Sequence, residues 1–131
     1  MADYYTPTVI TPDIPVQDIS QTNLEILKSV YEWEMHDENI YFFSQEGRRA
    51  SIPVTDDEGH EGEIEIEDDD VCKILQDVVK GSDTINQINI ISSFTCNKMR
   101  PDGFGGGVVV ITQDDVRSFS TDRFIEACQA K

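Results

Sequence analysis

Five aliphatic residues, Val71, Ile74, Leu75, Val78 and Val79, recur at the i, i+3, i+4, i+7, i+8 spacing that lines up one face of an α-helix. Asp68, Asp69 and Asp70 precede the stripe, where the helix dipole favours acids, and Lys80-Gly81 closes it. A helix with a single apolar stripe draws most of its stability from what the stripe covers, so the rest of the chain must supply a surface. That surface reads as a sheet.

Three short runs before this helix are rich in β-branched and aromatic residues and are separated by glycine-containing turns: Ile40–Ser44, Ala50–Val54 and Gly62–Glu67. They are expected to be antiparallel strands. After the helix, Ile85–Cys96 and Gly107–Thr112 read as a long hairpin joined through residues 97–106. A first helix is expected over about residues 23–34, because Thr22 and Glu25 have capping-box spacing and Ile26, Leu27, Val30, Tyr31 and Trp33 suit one helical face. A final helical stretch is expected from Asp114, broken near Ser118–Ser120 and resumed through Phe124, Ile125 and Cys128. Residues 1–19 contain Pro7, Pro12 and Pro15 and read as an extended arm, leaving residues 20–131 as one domain. The expected order is αβββαββα, an α+β fold with helices packed on a mostly antiparallel sheet of about five strands.

A length of 131 residues suits one domain. Its six Phe, four Tyr and one Trp set it apart from a disordered acidic tail. Cys72, Cys96 and Cys128 are odd in number, far apart and set in apolar patterns, which points to buried free thiols rather than disulfides or a metal site. The N-terminus lacks the basic start and apolar stretch of a secretory signal, and no run of 18 apolar residues occurs, so a cytoplasmic protein is expected.

The formal net charge is −16, from 26 acidic and 10 basic side chains. Such a field disfavours direct contact with nucleic acid or an anionic membrane and attracts basic surfaces. The charge is concentrated. Ten acids lie between residues 56 and 70 with no Lys or Arg among them, leaving 16 acids against 10 Lys and Arg, or −6, elsewhere. Glu61, Glu63, Glu65 and Glu67 alternate with Gly62, Ile64 and Ile66, so a strand places the four glutamates on one face about 6.7 Å apart and the isoleucines in the core. Asp56, Asp57, Glu58, Asp68 and Asp69 extend the row into a ridge whose charge density approaches that of a phosphate backbone. The plainer reading is a solvated strand face, with Asp68–Asp70 acting as helix-capping acids.

Other candidate sites are weaker. His36-Asp37-Glu38 and the Asp56–Glu61 run hold metal-ligand residue types without the spacing of an EF-hand loop or a zinc-binding helix, and exposed turns account for them. No G-x-S-x-G elbow is present. The glycines of Gly103-Phe104-Gly105-Gly106-Gly107 precede a strand rather than a helix, so a phosphate loop does not fit; positive φ or a bulge at the hairpin end is expected instead. Lys98, Arg100 and Phe104 make this loop the basic, aromatic tip of an acidic molecule and a candidate second contact. No catalytic residue, metal or cofactor is expected.

The stretch Lys98-Met99-Arg100-Pro101-Asp102-Gly103-Phe104-Gly105-Gly106, with Ile111-Thr112, Asp114, Val116 and Ser120-Thr121, resembles the C-terminal part of small proteins carried by phages and plasmids. Trp33-Glu34, Tyr41-Phe42 and the Gly62-Glu63 and second-helix region are similar to plasmid antirestriction proteins of the ArdB/KlcA type. The resemblances imply a mobile-element origin, where small acidic proteins act against host nucleases or CRISPR complexes. The expected function is therefore non-catalytic binding, with the acidic ridge occupying the basic site of a nucleic-acid-binding protein. The alternative is an assembly module that forms a homodimer or joins a complex through the arm, the sheet edge or the glycine-rich tip.

Overall fold

The second helix forms where its stripe predicts. In the computed structural model, which describes residues 4–129, α2 spans Asp68–Gly81 and buries Val71, Ile74, Leu75, Val78 and Val79. The elements before it are β1 (Tyr4–Tyr5), β2 (Thr8–Thr11), β3 (Ile14–Pro15), α1 (Gln21–Val30), β4 (Glu32–His36), β5 (Asn39–Ser44), β6 (Ser51–Thr55) and β7 (Glu61–Glu65). After it come β8 (Gln87–Cys96), β9 (Gly105–Thr112), β10 (Val116–Ser120) and α3 (Thr121–Gln129).

The class is α+β as expected, but the sheet is larger than five strands. Among the described residues, eight antiparallel strands form one sheet along the path β10-β9-β8-β2-β5-β3, with β1 added beside β8 and β4 beside β5. The proline-rich N-terminal stretch, read from sequence as an arm beside the domain, supplies the strand at the centre of that sheet and turns through a 3-10 helix at Val16–Asp18. β2 lies between β8 and β5, pairing Ile10 with Ile90 and Val9 with Phe43. The long hairpin is β8–β9, in register from Gln87↔Thr112 to Phe94↔Gly105.

One face of the sheet carries the core. Ile10, Ile14, Ile40, Phe42, Ile88 and Ile111 meet Leu24, Leu27 and Val30 of α1 and the stripe of α2. Burying each such aliphatic side chain favours folding by about 1.5–3 kcal/mol, before the opposing conformational entropy.

The first helix is shorter than expected and starts earlier. Ser20 caps it, its hydroxyl accepting from the amide of Asn23, so Thr22 and Glu25 do not form the capping box. Trp33 falls in β4, because residues 32–36 pair with β5 across a tight turn in which Asp37 takes φ 58°. Residues 116–120 are a strand, not a broken helix. Their register runs from Val116↔Ile111 to Ser120↔Gly107, and sheet pairing overrides the helical reading of the acidic Asp114-Asp115 start. The glycines of the hairpin end do not take positive φ; Gly105–Gly107 open β9 as ordinary strand. Their use is close packing, since a Cβ on Gly106 or Gly107 would lie 3.1 Å from the backbone oxygen of Ser92 or Phe119. The thiols also depart in part from expectation: all three are free, but only Cys96 is buried, Cys72 is half-buried and Cys128 is exposed.

Candidate acidic ribbon

β6 and β7 belong to a separate two-stranded sheet, paired from Ser51↔Glu65 to Thr55↔Glu61. The turn between them is built by Asp56. Its carboxylate accepts the amides of Glu58 (2.9 Å) and His60 (2.8 Å), and the imidazole of His60 lies 3.0 Å away. Those bonds, the His60 amide foremost, hold the Asp56 carboxyl below its ordinary range. Gly59 completes the turn at φ +84°, which a side chain would oppose.

Strand alternation sets Glu61, Glu63 and Glu65 on one face of this ribbon, beside Thr55, Pro53 and Ser51. All three glutamates are exposed, and among the described residues none makes an ion pair. The other face carries Ile52, Val54 and Ile64. Ile52 packs against the core, whereas Ile64 is 53% exposed, so the expectation that both Ile64 and Ile66 are core holds for Ile66 alone. The reason is that a two-stranded ribbon leaving the main sheet takes no second layer with it.

The rest of the expected ridge is partly committed within the molecule. Glu67 is the N-cap of α2 and forms a reciprocal capping box with Asp70, whose carboxylate accepts the Glu67 amide at 2.9 Å. Asp68 accepts from Arg48 at 2.7 Å. Asp56 shapes the turn. Asp57, Glu58, Glu61, Glu63, Glu65 and Asp69 therefore remain as the outward-facing acids, and Glu58 stands 3.7 Å from His60. Arg48, which the sequence reading passed over, ties the ribbon to the body: its guanidinium also donates to the carbonyl of Ile66 at 2.8 Å.

The second expected contact lies elsewhere. Lys98 and Arg100 are exposed on the turn after β8, next to Met99 at φ 55°, and Phe104 is partly exposed at the start of β9. Pro101–Gly103 form a 3-10 turn. This tip is not brought together with the acidic ribbon in the sheet order, since β8 and β9 belong to the large sheet and β6 and β7 to the small one.

A hollow of about 270 Å³ between α2 and the sheet is lined by Thr8, Tyr31, Arg48, Cys72 and Ser92 among others. Its one cation is already held by three internal acceptors, the carbonyls of Arg49 and Ile66 and the Asp68 carboxylate. Thr8 and Ser92 bond each other at 3.1 Å. Among the described residues no three His, Cys, Asp or Glu side chains come together to hold a metal ion. No helix among them is long and apolar enough to cross a membrane. Comparison with known proteins finds no matching family model, no matching curated protein and no matching solved structure.

Proposed function

We propose that this chain is a non-catalytic binding protein that docks its acidic ribbon on the basic site of a nucleic-acid-binding protein. The observation that carries this reading is the row Glu61, Glu63 and Glu65. These carboxylates repeat at the roughly 6.7 Å spacing of alternate strand residues, face solvent, and sit on a ribbon set apart from the main sheet. Like charges on one strand face repel one another, so the row costs stability that an opposing basic surface would return. The contact set is Asp57, Glu58, Glu61, Glu63 and Glu65, with Asp69 at its base. The resemblance to plasmid antirestriction proteins supports a partner drawn from host defence, in the cytoplasm of a host cell.

The test is the triple variant Glu61→Lys, Glu63→Lys, Glu65→Lys, compared with the parent protein in affinity capture from the native host at low and high salt. The expected result is a basic nucleic-acid-binding protein that is retained at low salt, released at high salt, displaced from its nucleic acid by the parent chain, and lost with the variant. Retention of the same partner by a folded triple variant removes the proposal.

A further inference from the structure

The second face of the large sheet is apolar and has almost no cover. Register places Phe119, Val108, Ile91, Val9 and Phe43 side by side across β10, β9, β8, β2 and β5, on the face opposite the core. Val110 and Tyr41 flank this row, and Tyr41 stacks on Phe43 with ring centroids 5.1 Å apart. Among the described residues, the one helix near this face is α3. Its Phe124 lines a hollow with Ile91, Val108 and Phe119 yet is 70% exposed, while Phe119 is 64% and Ile91 45% exposed. An antiparallel sheet with one wet face alternates apolar and polar residues. Here Val108–Ile111 and Ile40–Phe43 are apolar without interruption, the pattern of strands covered on both sides.

We propose that a second copy of this chain covers the face, forming a β-sandwich homodimer. Charge favours a copy over a foreign partner. At one end of the face stand Glu32 and Glu34, opposite Phe43 and Tyr41 on β4; at the other stands Arg117, opposite Val110 on β10. A two-fold axis running along the strands between β2 and β8 brings the β10 end of each copy over the β4 end of the other. Ile91 then meets Val9 of the second copy, Val108 meets Phe43, and Arg117 meets Glu34. In the single chain Arg117 is paired with Asp115 at 2.8 Å, both of them exposed, and a surface pair of this kind is readily exchanged. The face also keeps the most acidic part of each chain of charge −16 out of the contact, because the ribbon and turn that carry Asp56, Asp57, Glu58, Glu61, Glu63 and Glu65 form a different sheet.

The area is sufficient. Taking ~200 Å² for an aromatic side chain and somewhat less for an aliphatic one, the exposed parts come to roughly 500 Å² in each copy. Two copies then bury roughly 1,000 Å², the size at which specific interfaces begin. Aligned sheet packing at the usual separation of about 10 Å accommodates these side chains.

Sedimentation velocity or light scattering across a concentration series tests the proposal on the full chain. The expected result is a species of twice the chain mass. Ile91→Glu should convert it to a folded monomer, and Phe119→Ser, at the exposed sheet margin, should weaken it where Ile91→Glu impairs folding. Arg117→Glu and Glu34→Arg should each weaken association roughly tenfold, and together should restore it. Ile64→Lys on the ribbon should leave it unchanged. A monomer at all concentrations up to about 1 mM, on the scale where specific pairs have assembled, overturns the proposal. So does a dimer indifferent to both Ile91→Glu and Phe119→Ser, or one lost with Ile64→Lys.

Discussion

The guanidinium of Arg48 bridges to the carboxylate of Asp68 over 2.7 Å, and the same group donates to the Ile66 carbonyl at 2.8 Å. The two bonds differ in worth. The Arg48 side chain is 16% exposed but that of Asp68 is 94% exposed, so the ion pair itself is largely screened by solvent. The carbonyl bond is partly shielded, and its loss leaves an acceptor short of a partner. Arg48→Ala should therefore destabilise the fold by about 1–3 kcal/mol, while Asp68→Asn should cost less than about 1 kcal/mol. Urea unfolding of the two variants checks this, and equal losses would contradict the assignment.

Ile10 is 1% exposed at the centre of the sheet, between Ile90 on β8 and the β5 side of β2. Ile10→Ala should cost about 2–5 kcal/mol, the range for emptying a core aliphatic site. Removing residues 1–19 should abolish cooperative unfolding altogether, since it withdraws β2, β3 and the buried Ile10, Ile14 and Ile19 together. Thermal unfolding followed by circular dichroism separates this outcome from that of a dispensable tail. It also means that truncation of this segment is no test of assembly through it.

Local patterns were legible where one residue period dominated. The α2 stripe and the β8–β9 hairpin could be read directly, because helical and strand periodicities there agree with tertiary contact. The alternation of Glu61, Glu63 and Glu65 could be read too, since a strand of any pairing puts them on one face. Long-range pairing was not legible. Thr8–Thr11 is four residues with a proline on either side, and only its insertion between β5 and β8 makes it a strand. Trp33 matches the helical face of Val30 by spacing, and only its pairing with Phe42 places it in β4. The commitment of Asp56, Glu67 and Asp68 to turn, cap and ion pair was equally hidden, because an acid count does not say which carboxylates the backbone has already used.

Burial at the end of α1 pushes the Tyr31 phenol up to about 12, with the nearby Asp68 adding to the effect and Arg48 opposing it. The sign follows from linkage. Between the unfolded value near 10 and the folded value of about 12, the folded state holds a proton that the unfolded state has lost. Its contribution to stability is complete below the lower value and disappears as the pH rises through the window. Spectrophotometric titration should show a late tyrosine ionisation near the folded value, and Tyr31→Phe should remove that late step. A late step that survives the substitution would assign it to another residue.

The protonated ring of His36 donates to the Asp13 carboxylate through Nδ1 at 2.7 Å and to that of Glu34 through Nε2 at 3.3 Å. The Asp13 bond is the larger cause, and the Glu34 bond the second, of a pKa raised above the ordinary histidine value. Because the folded value is the higher one, the protonated ring favours the fold below the unfolded pKa near 6.5, and this contribution is lost as the pH rises through the folded value. The contact fastens the short segment before β3 to the end of β4, two pieces of chain that the sheet joins only through β5. Proton NMR of the imidazole should give a midpoint above 6.5 or so, reduced more by Asp13→Asn than by Glu34→Gln. Added salt should lower the midpoint as well, since both carboxylates are reached by solvent. A midpoint unmoved by Asp13→Asn would mean that the 2.7 Å contact does not persist in solution, and with it would go this tie between the N-terminal strands and β4.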